Sequence, residues 1–267
     1  MDARRDALEI ARRAIQAVLP ERAVREALSE KSFSERLALG GRLVLVAVGK
    51  AAWRMASAAS EALGDRLDRG VVVTKYGHSS GSIGGLEIFE AGHPLPDENG
   101  VRGAASALEM ASGLSKSDTV LFLVSGGGSA LFEKPADGLS QDDLADVTGR
   151  LLACGADIVE INTIRKRLSA VKGGRFAQAA HPAHVFSVVL SDVLGDRLDS
   201  IASGPACPDS FTSGDAARIV AKYGLELAPR VTDALRVETP KSLDNATAVI
   251  TGSVTALCAA AEEAARA

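Results

Sequence analysis

The sequence predicts a three-layer α/β/α, Rossmann-like domain built on a mostly parallel sheet. Three observations carry that expectation. Short apolar, β-branched runs recur along the chain, helix-periodic segments of ten or more residues separate them, and the loops after several runs concentrate glycine, serine and single charges. Strands alternating with helices of that length form βαβ units, which require parallel pairing. Right-handed crossovers then collect the carboxyl ends of the strands on one edge, where ligands bind in such sheets.

The elements follow in order. Residues 2–30 read as two helices split at Pro20, with Ala7, Ile10, Ala14, Ile15 and Val18 at helical spacing. RLVLVAV (42–48) is a buried strand, and Gly49-Lys50 opens an alanine-rich helix that ends at Gly64. GVVVTKY (70–76) and LEIFEA (86–91) are strands around a Gly/Ser loop. GHPLPDENG (92–100) is a loop whose Asp97 or Asn99 caps a helix over about 100–112. DTVLFLV (118–124) is the clearest strand, and SGGGS (125–129) follows at once. Ser140 caps a helix over 141–154, and another helix runs over about 157–170. AHVFSVVL (183–190) is a strand, a long loop (191–215) leads to a helix near 215–223, and NATAVITG (245–252) precedes a helix over 253–267. That last helix carries no capping Gly or Asn, which fits either a chain cut in mid-element or a frayed terminus.

Composition narrows the function classes. Hydrophobic residues are 46% and charged residues 24% of 267, a balance that builds a core and excludes whole-chain disorder. The net charge of −4 leaves no broad electrostatic footprint for nucleic acid or an anionic membrane, and 4% aromatics argue against a base-stacking platform. Cys154, Cys207 and Cys258 lie far apart and form no metal-ligand or redox spacing; with no secretory leader and no long apolar stretch, the expectation is a cytoplasmic protein.

Four segments lie just past strand ends. Lys50 stands at a helix amino end, where the dipole repels cations, so an anion there would relieve the cost; the alternative is a solvated lysine with a long stem. The surroundings are not a Walker A loop, since Val44 and Ala51 occupy positions that motif fixes. Ser125-Gly126-Gly127-Gly128-Ser129 can turn successive N–H groups inward as an anion nest, or serve as a tight turn. On the helix that holds NTIRKRLSAVKGGR (162–175), Ile161, Ile164, Leu168 and Val171 mark a core stripe, and Arg165, Ser169 and Lys172 then share a second helix face suited to polyphosphate or simply to solvent. Asp192 follows the run ending at Leu190; it orients or deprotonates a hydroxyl, holds magnesium, or closes an Asx-turn. Ser203-Gly204 adds small residues and N–H groups. Together the set suits phosphoryl transfer to an alcohol. No HExxH, CxxC or GxGxxG motif is present.

The same residues carry a resemblance. Gly49-Lys50-Ala51-Ala52, AGHPLPDENG (91–100), SGGGSAL (125–131), NTIRKRLSAVKGGR (162–175) and LSDVLGDRLDSIASGP (190–205) resemble, in order and spacing, the glycerate 2-kinase family with a MOFRL domain. The resemblance implies a kinase that uses ATP and Mg²⁺ to convert D-glycerate to 2-phosphoglycerate. It makes Lys50 and Asp192 the leading catalytic positions, with Asp192 binding the glycerate hydroxyl or Mg²⁺, and places Ser125, Gly126, Gly127, Gly128, Ser129, Lys166, Ser203 and Gly204 around the ligands. Residues 1–267 correspond to the amino-terminal MOFRL-associated α/β domain, and the carboxyl-terminal MOFRL domain that would complete the cleft is expected to be missing. Arg167, Leu194 and Ala206 depart from the family's usual His, Pro and Thr. Two other readings stand beside the kinase: a non-catalytic anion- or nucleotide-binding module, and a hydroxypyruvate reductase.

Overall fold

A computed structural model describes residues 3–191 and 197–266. Among them, six strands form one fully parallel sheet: β1 (Leu43–Val48), β2 (Arg69–Lys75), β3 (Glu87–Ala91), β4 (Thr119–Val124), β5 (His184–Leu190) and β6 (Ala246–Gly252), in the spatial order β3-β2-β1-β4-β5-β6. Every strand lies within two residues of the run that predicts it. The chain winds outward from β1 to one edge, returns, and winds outward from β4 to the other.

The central strands are apolar without alternation because both faces are covered. Val44, Val46 and Val48 of β1 join one core with α5 (Glu98–Ala111) and α9 (Arg175–Ala180), while Leu43, Leu45 and Ala47 join a second core with α2 (Pro20–Leu28), α3 (Lys31–Leu37) and α4 (Ala52–Leu63). These are the three expected layers. α1 (Ala3–Ala17) packs on α12 (Val254–Arg266) at the β6 side.

The expected caps operate. Asp97 caps α5 by accepting from the Gly100 N–H, and Ser140 caps α7 (Gln141–Ala153) in a reciprocal box with Asp143. Pro20 opens α2 at its first turn, where its missing N–H costs nothing. A third apolar cluster, outside the sheet layers, joins α7, α8 (Ile158–Leu168), α10 (Ser213–Lys222) and α11 (Pro229–Arg236). The short helices α3, α6 (Gly128–Leu131), α9 and α11 are additions to the sequence reading; segments of four to eight residues are too brief for helical periodicity to mark them.

Candidate functional site

β1 and β4 are neighbours in register, Val48 opposite Val124, so Gly49 and Ser125 leave the sheet side by side at the point where the strand order reverses. This is the crevice in which doubly wound sheets bind ligands. Two loops meet there and are tied together. The Lys50 N–H donates to the Gly126 carbonyl at 2.9 Å, and the Ala51 N–H donates to Ser125 Oγ at 3.0 Å. Ser125 Oγ in turn donates to the Val48 carbonyl at 3.3 Å. The Ser125 hydroxyl, expected as a ligand donor, is thus engaged in clamping the two loops.

The glycines are required by this closeness. Gly49 has φ +115°, and a Cβ there would lie 2.3 Å from Ser125 Oγ. Gly127 has φ +89° and precedes α6; a Cβ on it would meet His93 and the stem of Lys50. Among the described residues, the N–H groups of Gly126, Gly127 and Gly128 donate to no acceptor. Gly126 and Gly127 are half-buried beside Lys50, whose side chain is exposed and pairs with no carboxylate among the described residues. An unspent cation beside unspent N–H groups is the electrostatic makeup of an oxyanion site.

The loop is braced from below. Phe132, directly after α6, packs on Phe122 of β4 and Phe176 of α9, with centroids 5.9 and 5.5 Å away. The Ser129 carbonyl accepts from Arg165 Nη2 at 3.0 Å and from Lys172 Nζ at 2.9 Å. Lys172 Nζ also donates to the Phe132 carbonyl at 2.9 Å and lies 3.4 Å from Glu133 Oε2. Burial lowers its pKa to about 8, against the opposing pull of Glu133.

A second wall comes from residues 201–205. Ala202, Ser203 and Gly204 take φ of +50°, +61° and +63° in succession. Two non-glycine residues in that region cost about 1–3 kcal/mol each, so the surroundings must impose the conformation. They do: N–H groups of Gly173, Gly174 and Ala177 donate to the carbonyls of Ser203, Gly204 and Pro205 at 3.0, 2.7 and 3.2 Å. Ser203 Oγ is thereby brought 3.1 Å from Ser129 Oγ and 3.4 Å from Asn162 Oδ1, joining the glycine loop to α8. Gly128 packs so closely on Ala202 that a Cβ would lie 2.7 Å from the alanine methyl.

The cationic segment after Asn162 corrects the sequence reading. Arg165, Ser169 and Lys172 do not share a helix face, because α8 stops at Leu168 and Ser169 is extended at φ −107°, ψ 142°. Val171 accordingly joins the sheet core rather than the helical cluster of Ile161, Ile164 and Leu168. Lys166 is 2% exposed and donates to Asp209 Oδ1 at 3.1 Å. Arg167, fully buried, lies 3.6 Å from Asp209 Oδ2 and donates to the carbonyls of Thr163 and Phe211 at 3.0 and 2.7 Å. Thr239 Oγ1 donates to the same carboxylate at 2.8 Å. The charges of Lys166 and Arg167 are spent inside the protein, where Arg167 completes a buried network. Ala206 is partly buried against the sheet core.

Asp192 and Leu194 lie outside the described residues. Among the described residues, no group of three or more His, Cys, Asp or Glu side chains could hold a metal ion, and no helix is long and apolar enough to cross a membrane. The structure thus brings together Lys50, the glycine loop and Ser203-Gly204. Sequence reasoning missed His93 and Asn162, which also reach this edge. Both stood inside segments noted for other reasons, and His93 lies two residues past the end of β3, the same kind of position that drew attention to Lys50.

The family model described as "Domain of unknown function (DUF4147)" matches residues 6–236. The chain is 54% identical over 252 residues to the D-glycerate 2-kinase of Thermotoga maritima, covering 94% of this chain and 59% of that protein. It is 45% identical to an Agrobacterium vitis protein provisionally named a hydroxypyruvate reductase, over 76% of this chain and 46% of that one. The crystal structure of a glycerate kinase from Thermotoga maritima superposes with a TM-score of 0.91 at 52% identity, covering 98% of this chain and 62% of that structure. The chain therefore spans about six-tenths of the length of these kinases.

Proposed function

Because the chain belongs to the DUF4147 family, we propose that it forms one wall of the active site of an ATP-dependent kinase that converts D-glycerate to 2-phosphoglycerate. The observation that carries this reading is the meeting of exposed Lys50 with the unspent N–H groups of Gly126, Gly127 and Gly128 at the switch point of the sheet. The kinase names of the relatives choose the reaction.

In this reading Lys50 Nζ and the loop N–H groups hold the transferring phosphoryl group and offset the charge that spreads over its oxygens. The Ser203 hydroxyl and the 203–204 backbone face the same ligand from the second wall. Asp192 receives the C2 hydroxyl of glycerate or helps hold Mg²⁺, which arrives with the nucleotide. Lys166 and Arg165 act at one remove, keeping α8 and the Ser129 carbonyl in place. The rest of the cleft, including the MOFRL domain, is supplied by the part of the relatives' length that this chain does not span. Three free thiols and a need for ATP suit a cytoplasmic setting.

A coupled ADP-release assay with D-glycerate, run beside NADH oxidation with hydroxypyruvate, tests this reading. It is made on the chain alone and on the chain extended by the carboxyl-terminal part of the Thermotoga maritima relative. The extended protein is expected to release ADP only with D-glycerate, and Lys50→Ala to lower that rate by about two or more orders of magnitude. Unchanged turnover in Lys50→Ala, or NADH oxidation in its place, would overturn the kinase. ATP binding without turnover by the chain alone supports the one-wall description.

A further inference from the structure

The AGHPLPDENG segment, whose Asp97 caps α5, also stands beside the glycine loop. The side chains of Asp97 and Asn99 hold the segment's own shape. Asp97 accepts from the Gly100 N–H at 3.0 Å and from the Tyr76 hydroxyl at 2.8 Å. Asn99 Nδ2 donates to the Tyr76 hydroxyl at 2.9 Å and to the Glu90 carbonyl at 3.1 Å. Glu90 accepts from the N–H groups of Gly77 and Ser79 at 2.9 and 3.1 Å, tying the loop after β2 to the end of β3. Gly92 makes a turn so tight that a Cβ would lie 2.5 Å from the Leu95 carbonyl.

This scaffold delivers a single ring to the crevice. His93 is half-buried, and its Cδ2 and Nε2 lie 3.0 and 3.1 Å from the point where a Cβ on Gly127 would stand. Lys50 Cγ lies 3.2 Å from that same point. The imidazole edge and the lysine stem therefore flank the one glycine whose neighbours offer the unspent N–H groups. His78 supports the same turn from behind: its Nδ1 stands 3.0 Å from the Lys50 carbonyl, a distance that fits an N–H donated to that oxygen. A ring fixed on a braced loop and set against an oxyanion site is a preorganised hydrogen-bond donor.

We infer that His93 is a ligand-binding residue of this site, its Nε2 hydrogen-bonding the anionic oxygens that Lys50 and the Gly126–Gly128 loop hold. The inference rests on the proposed anion site and extends it with a third wall, the loop after β3. The shared chemistry is an anionic oxygen, from phosphate or from the glycerate carboxylate.

Isothermal titration of the chain separates these sources, with pyrophosphate in one arm and D-glycerate in the other. His93→Ala is expected to weaken one of the two by about tenfold or more, the size of one hydrogen bond to a charged group. His93→Gln, which keeps a side-chain N–H, is expected to retain most of that affinity. The arm that loses affinity identifies the anion. In imidazole ¹⁵N spectra the same ligand shifts the His93 ring and leaves His181 and His184 unmoved; both lie at the opposite end of β5. Unchanged affinity of folded His93→Ala for both ligands, loss of affinity in Gln equal to that in Ala, or a His93 ring that moves with neither ligand would overturn the inference. Lys50→Ala keeps its failure distinct from that of the kinase reading. If that variant loses affinity while His93→Ala does not, the anion site stands without His93. If neither variant loses affinity, both fall.

Discussion

Lys50 and Lys166 are both lysines that the sequence places near the ligands, and the fold treats them in opposite ways. Lys50 is exposed at the turn after β1. Lys166 is 2% exposed and held 3.1 Å from Asp209, with Arg167 on the other oxygen of the same carboxylate. A buried charge persists only when paired and hydrogen-bonded. Asp209 is accordingly surrounded by Lys166, Arg167, Thr239 and the Phe211 N–H. An exposed lysine at a helix amino end has no such compensation within the protein and gains most from an external anion. One cation is part of the structure, and the other is available to a ligand.

The sharpest way to break this contrast is to remove the shared carboxylate. Asp209→Ala strands Lys166 and Arg167 and is expected to cost about 3–5 kcal/mol, read from urea unfolding. A loss below about 1 kcal/mol would mean that these charges find solvent after all and that the network is not structural.

A smaller effect is expected from the exposed pairs of the helical cluster. Glu160 closes the capping box of α8 and accepts from Lys222 and Tyr223 of the α10 segment, and these hydrogen bonds, that from Lys222 foremost, lower its pKa from 4.5 to about 2. Arg230, then the Ser140 N–H, hold Asp143 well below the usual carboxylate range. A depressed carboxylate pKa stabilises the fold fully above the ordinary value, and the contribution is lost as pH falls through the folded one. Protection against amide exchange in 158–168 should therefore fall between about pH 4.5 and 2, before protection in 43–48 does. Equal protection of both segments across that range would contradict the assignment.

Strands and caps were legible because local chemistry fixes them. LVLVAV and TVLFLV are apolar throughout because both their faces are covered, and Asp97 and Ser140 cap the helices they precede. The cations were not legible in the same way. Whether Lys166 or Lys172 meets a ligand depends on Asp209 and Glu133, 43 and 39 positions away in the chain, and nothing local to NTIRKRLSAVKGGR reveals those partners. The end of α8 was also hidden. Ser169 leaves the helix to form a bridge with Pro135, a tertiary contact that overrides helical propensity. His93 stands within the AGHPLPDENG motif, but nothing local to that loop reveals that its ring approaches Gly127, 34 positions away in the chain.

The most direct test of the account is the smallest in its effect on stability. Lys50→Met removes the one charge assigned to the ligand while keeping the aliphatic stem. Calorimetric titration of ATP into the chain and this variant should show affinity lowered by about tenfold or more, with unfolding stability changed by no more than about 0.5 kcal/mol. ATP bound equally well by both proteins would contradict the claim that Lys50 at the switch point is the cation left for the ligand.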